Sequence, residues 1–342
     1  MKTNKNRHIN TWTYWSIFLI FGILTISACT AKKQYHEDSG TVFHTLYHIK
    51  YQHDKILTDK IDGEFQAFNL SLNPFNTNSI IAKVNRNEDV EVDEWFETVF
   101  DKSREVYEAS GGAFDPTVAP LINLWGFGFE RRDSISQHTI DGLIEFVGFN
   151  KIRIENKRVI KDDPRMQLNF SAIAKGFASD VIARLLEREG VENYMIEIGG
   201  EVAASGKNPH GQCWQIGINK PEDDTERMVN KMQAIVPLCE KCGLATSGNY
   251  RNFYVKDGKK YAHTIDPKTG YPSELDILSA TIIAPDCMTA DAYATAFMAL
   301  GVDGSLQMAD KIKDLKYYII YTGDEYGELR TMASEGLETL IP

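Results

Sequence analysis

The chain has 342 residues, of which 43% are hydrophobic and 25% are charged. These shares are close to those of ordinary globular proteins, so disorder is excluded for most of the chain. Acidic residues outnumber basic ones by 48 to 37. The resulting net charge of -11 argues against general nucleic-acid binding, which needs a cationic surface to neutralise phosphates. The length predicts one large domain or two interleaved halves.

The N-terminus has the organisation of an export signal. Its start is basic, with Lys2, Lys5 and Arg7. An apolar stretch at 14–26 follows, which is too short to span a bilayer, and it ends in Ile26-Ser27-Ala28-Cys29, which resembles a bacterial lipobox. We predict a lipoprotein signal peptide at 1–28, lipidation of Cys29 and a polar tether at 29–39. A plain signal peptide and an N-terminal anchor helix are the alternatives. Acyl chains on Cys29 would hold the protein at the extracytoplasmic face of a cell membrane.

Four cysteines lie beyond the predicted lipobox: Cys213, Cys239, Cys242 and Cys287. Cys239 and Cys242 form a C-x-x-C pattern, but no second pair follows at metal spacing, so the pattern disfavours zinc. Disulfides and buried free thiols are both compatible with an exported protein. We assign these cysteines no catalytic role.

Helical and strand patterns follow each other without a regular order. Apolar residues at every second position predict a strand at 41–51, and apolar residues at helical spacing predict helices at 56–72 and 95–107. Further patterns predict a small helix and short strands within 142–160, a helix from 169–171 to about 189, a strand at 194–198, another at 214–218, a solvated loop at 221–231, strands at 252–255 and 277–284, a helix at 288–300 and a last strand at 316–321. Without βαβ alternation, the sequence predicts the α+β class.

The usual signatures of dinucleotide binding, Walker loops and α/β-hydrolases are absent from the sequence. A dense polar and glycine segment instead runs from Asn169 to Gly176, directly before a predicted helix. Unpaired N–H groups at a helix start favour an anion such as phosphate, and Lys175 would add a positive charge. The alternative is an ordinary helix with a solvated lysine, capped by Asn169 or Ser171.

A second segment places an acid and a hydroxyl on one helix face. Asp291 and Thr295 stand four residues apart, so both side chains project from the same side of the predicted helix. A carboxylate and a hydroxyl offer two hard oxygens to a divalent cation such as Mg²⁺. The alternative is an acidic residue in the first helical turn that interacts only with the helix dipole.

A third segment, at 263–270, begins with a histidine and continues into a turn. Pro267 and Gly270 favour a rigid loop that would fix the position of His263. A histidine so placed can take a proton from a hydroxyl near neutral pH. A structural histidine that bonds the turn is the alternative.

Two further clusters indicate shape more than chemistry. The glycines at 199–200, between Glu197 and Glu201, would let the backbone approach a ligand closely. The segment at 246–250 could present hydroxyls and amides to a ligand or simply form a turn.

In this order, these segments resemble the ApbE family, the FAD:protein FMN transferases. The matching pieces lie at 40–41, 78–85, 112–118, 125–128, 171–176, 198–201, 246–248, 263–270 and 291–295. The resemblance covers about 40–300. It implies a mixed α/β fold with two interleaved subdomains, in one domain at 40–342. Many members are lipoproteins, which agrees with the lipobox at Cys29.

The resemblance also implies roles for individual residues. It implies a Mg²⁺ held by Asp291, Thr295 and the backbone carbonyl of Ala172, and a proton-accepting role for His263. It implies contacts with the substrate FAD from Thr41, Trp125, Gly126, Phe127, Asn169 and Lys175. Many members carry Asp where this chain has Asn169, so one negative charge is missing here. The segment at 71–75 is also longer than usual before Ser79, in a neighbourhood that influences whether FAD is hydrolysed or used for transfer.

The implied reaction is transfer of FMN from FAD to a threonine or serine hydroxyl of another protein, with release of AMP. The acceptors implied by the resemblance are subunits of extracytoplasmic electron-transfer or ion-pumping complexes. Two alternatives remain open: a Mg²⁺-dependent FAD pyrophosphatase that releases FMN and AMP, and a flavin-binding lipoprotein without catalysis.

Overall fold

The computed structural model describes residues 34–126, 135–221, 232–248, 253–256, 259–262, 264–273, 276–323 and 328–338. In chain order its strands are β1 (Gln34–Val42), β2 (Thr45–His53), β3 (Ile152–Glu155), β4 (Arg158–Lys161), β5 (Tyr194–Ile198), β6 (Glu201–Ser205), β7 (Trp214–Asn219), β8 (Met232–Leu238), β9 (Cys242–Gly248), β10 (Phe253–Lys256), β11 (Lys259–Ala262), β12 (Ile277–Ala284), β13 (Lys316–Thr322) and β14 (Leu329–Ala333). Eight strands form one sheet in the order β1-β2-β5-β6-β9-β12-β13-β14, and the pairs β3–β4, β7–β8 and β10–β11 form two-stranded sheets.

Helices accompany this sheet. They are α1 (Thr58–Ser71), α2 (Ile80–Asn85), α3 (Glu94–Ala109), α4 (Ala119–Leu124), α5 (Gln137–Ile144), α6 (Ala174–Arg188) and α7 (Cys287–Ala309), with a short 3₁₀ turn at Phe149–Lys151. Since helices and an antiparallel sheet both build the fold without βαβ units, the predicted α+β class is confirmed. Within the described residues, no helix has both the length and the hydropathy needed to cross a bilayer.

The large sheet is buried on both faces because successive side chains of a strand point to opposite sides. In β6, Ala203 belongs to the main core that the helices form, whereas its neighbours Val202 and Ala204 face a second core. Trp214 of β7 and Val236 of β8 complete the second core. The sheet therefore lies between a helical layer and the β7–β8 hairpin.

The predicted amphipathic helices form where their apolar stripes indicate. The stripe of α6 is fully buried at Ile173, Phe177, Val181, Ile182 and Leu185. Helix α3 begins at a true cap, because the Asp93 carboxylate accepts the Phe96 N–H at 2.8 Å. The same carboxylate accepts the hydroxyl of buried Ser71 at 2.8 Å, which ties the end of α1 to the start of α3. Helix α7 runs beyond the predicted end at 300, through a kink at Gly301.

The first strand pattern divides into a hairpin. The predicted strand at 41–51 is interrupted at Phe43 and His44, which turn the chain with φ angles of 49° and 62°. The period-two pattern continues across such a two-residue turn, so periodicity alone does not reveal it. Residues 34–39, which the sequence assigns to the tether, belong to β1. Because β1 is an edge strand with many half-exposed residues, its polar composition is like that of a tether.

The cysteines do not pair within the C-x-x-C pattern. Cys213 and Cys239 form a disulfide, and their Cα atoms are 4.5 Å apart. Cys213 directly precedes β7 and Cys239 directly follows β8, so the disulfide closes the open end of the β7–β8 hairpin. Cys242 and Cys287 are free thiols, half-buried and buried respectively. The protein therefore contains both a disulfide and free thiols, the two states that the sequence left open.

Candidate functional site

A cavity of about 420 Å³ lies where the loops before α6, the β5–β6 turn and the first turns of α7 come together. This volume is typical of small-molecule sites. Some lining residues belong to regular elements, and we call these the framework residues: Lys175, Glu201, Thr246, Ser247, Asp291 and Thr295. Others lie between elements, and we call these the turn residues: Phe75, Asp115, Pro116, Asn169, Ala172 and Thr264.

At the start of α6, a hydrogen bond to a side chain of α7 replaces a regular backbone hydrogen bond of the helix; we call this the hydrogen-bond exchange. In a regular helix the N–H of Gly176 would bond to the carbonyl of Ala172, four residues earlier. Here that N–H donates instead to Oδ2 of Asp291 at 3.0 Å. No backbone hydrogen bond within the described residues ends on the Ala172 carbonyl, and none reaches the other carboxylate oxygen of Asp291. Two oxygens at the cavity are thereby left for a ligand.

The close approach of α6 and α7 requires a glycine at this position. A Cβ atom on Gly176 would lie 2.3 Å from the Cys287 carbonyl oxygen and 2.8 Å from Cβ of Asp291. Any larger residue would push the helices apart and break the bond between the Gly176 N–H and Asp291. The glycine thus serves helix packing, and through it the position of the Asp291 carboxylate.

Two carboxylates hold the first turn of α7. Asp286 is the helix cap and accepts the N–H of Thr289 at 2.7 Å. Asp180, on α6, accepts the N–H groups of Cys287 at 2.9 Å and Met288 at 2.8 Å. Burial, with the nearby charge of Asp286, raises the pKa of Asp180 to about 7. Because these hydrogen bonds fix the first turn of α7, they also fix the positions of Asp291 and Thr295, which lie one and two turns later in the same helix.

An ion pair between a half-buried ammonium and a buried carboxylate stands beside Asp291. The ammonium of Lys175 donates to Oε1 of Glu201 at 2.5 Å, and the Glu201 side chain is 5% exposed. Burial alone would lower the pKa of Lys175, but the carboxylates of Glu201 and Asp291 outweigh this effect and raise it. Burial raises the pKa of the Asp291 carboxyl, and the Lys175 ammonium and the Gly176 N–H offset part of that effect.

The charges of this group leave room for a cation. One ammonium faces two carboxyl groups, and burial raises the pKa of both carboxyls, that of Glu201 to about 7. Buried charge without a counter-charge is unfavourable. On α7, the hydroxyl of Thr295 lies one turn beyond Asp291 and 3.4 Å from the hydroxyl of Ser247. Hard oxygens beside more carboxyl groups than ammonium groups are an environment that a divalent cation prefers.

The turn residues are held by side chains that bond to backbone. Asn85, at the end of α2, brackets Leu168, since its amide donates to the Leu168 carbonyl and accepts the Leu168 N–H, each at 2.8 Å. Asn169 then donates its N–H to the Pro116 carbonyl at 2.8 Å, and its side-chain oxygen accepts the Ser171 N–H at 2.8 Å. The Asn169 side chain therefore forms a turn and does not cap α6, which begins without a side-chain cap.

The neighbouring turn segments are fixed in the same manner. The buried carboxylate of Asp115 accepts the N–H and the hydroxyl of Thr117, at 2.7 and 2.6 Å, and burial raises its pKa. The indole N–H of Trp125 donates to the Gly270 carbonyl at 2.7 Å, and Trp125 belongs to the same buried apolar cluster as Ile265. This contact holds the turn at 264–273, whose first residue, Thr264, lines the cavity.

The structure brings together five of the residues predicted for the site. Asn169, Ala172, Lys175, Asp291 and Thr295 all line the cavity. Three others do not line it: Thr41 is exposed on β1, Trp125 is buried beneath the 264–273 turn, and Gly126 follows Trp125 with a φ of 79°. His263, Phe127 and Cys29 lie outside the described residues.

Sequence patterns missed part of the site. The glycine cluster that includes Glu201 predicts shape more than chemistry, yet the Glu201 carboxylate pairs with Lys175. Residues 246–248 belong to strand β9, so the alternative of a turn is wrong for them. Asp180 carries no signal beyond being a single acidic residue, and Asp115 is marked only by its place in the matching segment at 112–118. The two glycines before Glu201 were a usable signal, because they indicate a tight turn between paired strands. Such a turn fixes the direction of the side chain that follows it.

Fold and site together define an α+β protein with a small-molecule cavity whose polar groups converge where two helices begin. Residues 43–319 match the family model described as the ApbE family. A protein from Haemophilus influenzae named FAD:protein FMN transferase is 36% identical, over 89% of this chain and 91% of that protein. A protein of the same name from Vibrio cholerae is 33% identical, over 92% of this chain and 96% of that protein. The chain belongs to the ApbE family.

Solved structures agree with this assignment. The flavin transferase ApbE from Vibrio cholerae superimposes with a TM-score of 0.79 at 32% identity, covering 90% of this chain and 99% of that one. The apo form of the flavinyl transferase ApbE from Pseudomonas stutzeri gives a TM-score of 0.78 at 27% identity, covering 91% and 98%. The resemblance identified in the sequence and the predicted ApbE-like fold are confirmed, and the chain is a member of an enzyme family.

Proposed function

We propose that this protein is a Mg²⁺-dependent FAD:protein FMN transferase that attaches FMN to a threonine or serine hydroxyl of an acceptor protein and releases AMP. The observation that carries the proposal is the hydrogen-bond exchange at α6, which leaves the Ala172 carbonyl and one Asp291 oxygen available at a cavity that also contains Lys175. Relatives of similar length bear the name of this activity.

The residues fit a magnesium ion. Asp291 supplies one charged oxygen, Thr295 a hydroxyl and Ala172 a carbonyl, and Mg²⁺ takes oxygens of these kinds while it borrows the rest from water and substrate phosphate. The excess of carboxyl groups over ammonium groups among Lys175, Glu201 and Asp291 supports the same ion. When bound, Mg²⁺ would neutralise charge on the pyrophosphate of FAD and on the leaving AMP.

In the proposed reaction, the acceptor hydroxyl oxygen forms a bond to the FMN-side phosphorus of FAD. The bond between that phosphorus and the bridging oxygen breaks, and the oxygen leaves with AMP. His263 takes the proton of the attacking hydroxyl. Lys175 holds the pyrophosphate by charge, and the Asn169 amide, whose NH₂ bonds to none of the described residues, donates to FAD. Thr41, Trp125, Gly126 and Phe127 complete the proposed FAD contacts.

The test is an incubation with FAD and Mg²⁺, with and without a candidate acceptor protein. We expect AMP release that depends on the acceptor, together with a mass increase of the acceptor equal to one phosphoester-linked FMN. AMP and free FMN in equal amounts without an acceptor would identify a pyrophosphatase instead. Tight FAD binding without any AMP would identify a flavin-binding lipoprotein. The longer segment at 71–75 is the specific reason to run the reaction without an acceptor.

We also propose that Cys29 carries lipid and holds the enzyme at the extracytoplasmic face of a membrane, where its acceptors are subunits of electron-transfer or ion-pumping complexes. The basic start, the short apolar stretch and the small residues before Cys29 support this proposal. In a Cys29→Ala variant the signal peptide should stay uncleaved, and mass spectrometry should find no acyl chains on the protein. A variant that is processed and membrane-bound like the parent protein would rule out lipidation at this residue.

A further inference from the structure

Glu201 is a buried carboxylate that the fold satisfies only in part. It opens strand β6 directly after the turn at Gly199 and Gly200, and its side chain is 5% exposed. One oxygen, Oε1, accepts the Lys175 ammonium. The other oxygen, Oε2, is buried and has no hydrogen-bond partner within the described residues. Buried polar atoms are nearly always bonded, so a carboxylate with only one paired oxygen is unfavourable for folding alone.

The surroundings of Glu201 fix the place of the Lys175 ammonium. On α6, Ser179 stands one turn after Lys175, and its buried hydroxyl donates to the Glu201 carbonyl at 3.1 Å. Helix α6 therefore contacts Glu201 at two points: Ser179 bonds to the Glu201 backbone carbonyl, and Lys175 bonds to the Glu201 carboxylate. A Cβ atom on Gly199 would lie 3.2 Å from Cδ of Lys175, so the lysine chain passes closely over the turn. Both constraints limit where the ammonium can stand.

We propose that Glu201 is a positioning residue: it holds the Lys175 ammonium in the direction in which its remaining N–H groups meet the pyrophosphate of FAD. The inference rests on the proposed function, in which Lys175 contacts FAD. A free lysine side chain has many rotamers, and ordering it on binding reduces affinity. A charge-assisted hydrogen bond that orders the ammonium beforehand removes much of that loss.

The test is a double-mutant cycle on FAD binding, measured by flavin fluorescence in the presence of Mg²⁺ and without an acceptor. Glu201→Gln keeps the size of the side chain and one acceptor oxygen but removes the charge, and we expect it to weaken FAD binding by about tenfold. In a Lys175→Met background the same Glu201→Gln change should weaken binding by less than about twofold, because the group that Glu201 positions is gone.

Equal weakening in both backgrounds would overturn the proposal, because Glu201 would then act on FAD or on the fold without Lys175. Tighter FAD binding by Glu201→Gln alone would also overturn it, since the carboxylate would then only repel the pyrophosphate. If Glu201→Gln does not fold, Glu201→Asp replaces it in both backgrounds, with the same expected loss of effect beside Lys175→Met.

A matched control is available on the same helix. Glu187 of α6 also pairs with a lysine, with Lys241 at 2.6 Å, but it does not line the cavity. Glu187→Gln should leave the FAD dissociation constant unchanged. Because the double-mutant cycle measures FAD binding alone, its result is independent of FMN transfer. A wild-type protein that binds FAD but transfers no FMN would contradict the proposed function. The cycle would still show whether Glu201 acts through Lys175.

Discussion

The framework residues and the turn residues of the cavity are held in place by different means. Half of the framework residues sit on long helices that are buried over several turns, as Lys175 does on α6 and Asp291 on α7. The others lie on strands β6 and β9 of the large sheet. The turn residues depend on single side chains that bond to backbone far away in sequence, as Asn85 does for Leu168 and Trp125 for Gly270. Charge is concentrated on the framework, and the turns provide shape.

This difference suggests that the framework residues and the turn residues have different roles. Groups that must hold charges at a defined position stand on elements that packing makes rigid, so they are in place before a ligand arrives. Turn segments can differ in length without disturbing that geometry, as the longer segment at 71–75 does here. We therefore expect changes in the framework to affect chemistry most, and changes in the turns to affect stability and binding more mildly.

The largest effect is expected at Asp291, the only charged oxygen in the proposed magnesium site. Asp291→Ala should reduce FMN transfer at limiting Mg²⁺ by more than about 100-fold, because metal stabilisation of transition-state charge is worth several kcal/mol. The measurement is AMP release as a function of Mg²⁺ concentration. Asp303→Asn, an exposed acid on the same helix, is the control and should behave as the parent protein. Unchanged AMP release at low Mg²⁺ would refute the metal assignment.

The next effect is expected at His263, which begins the 263–270 segment. A positioned base contributes about 10²–10⁴-fold to a rate, so His263→Ala should reduce transfer by that factor and leave FAD affinity nearly unchanged. The transfer rate of the variant should also lose its pH dependence around neutrality. His138→Ala, at an exposed position of α5, is the control. A variant that transfers normally would remove His263 from the mechanism, and one that fails to bind FAD would make it a ligand contact.

A smaller effect is expected where a side chain holds a turn. Trp125→Phe removes the indole N–H that bonds to the Gly270 carbonyl and leaves a buried acceptor unpaired, which should lower the free energy of unfolding by about 1–3 kcal/mol. Urea denaturation measures this loss. Trp95→Phe is the matched control, because its half-buried indole packs against Phe68 and donates to none of the described residues. Equal losses in both variants would show that the bond to Gly270 does not stabilise the turn.

A last effect, of a different kind, is a pH dependence of stability at Asp180, which holds the start of α7. Its pKa is about 7 in the folded protein and 3.8 in a model compound, so the folded state binds this proton more tightly. The contribution of the group is complete below about pH 4 and is lost as the pH rises through 7. Between pH 4.5 and 7.5 the parent protein should lose more melting temperature than Asp180→Asn. Parallel curves would contradict the raised pKa.

The sequence predicted the framework more completely than the turns. Periodicity predicted α1, α3 and α6, the start of α7 and strand β5, because burial of a continuous apolar stripe depends only on local spacing. The order of the polar segments identified the family and with it Lys175, Asp291 and Thr295. Periodicity failed at Phe43 and His44, where a hairpin turn preserves the alternation. Residue type failed at 169–171, where Asn169 forms an Asx turn and neither Asn169 nor Ser171 caps the helix.

The sequence by itself determined the class of fold, the family, and which residues carry hard oxygens and positive charge. The tertiary structure alone decided that Gly176 bonds to Asp291 and frees the Ala172 carbonyl, that Glu201 pairs with Lys175, and that Cys213 bonds to Cys239. These contacts join residues 26 to 115 positions apart. Local patterns reflect only neighbours along the chain, whereas hydrogen bonds and ion pairs of this kind arise when helices and strands pack and burial makes each unpaired group costly.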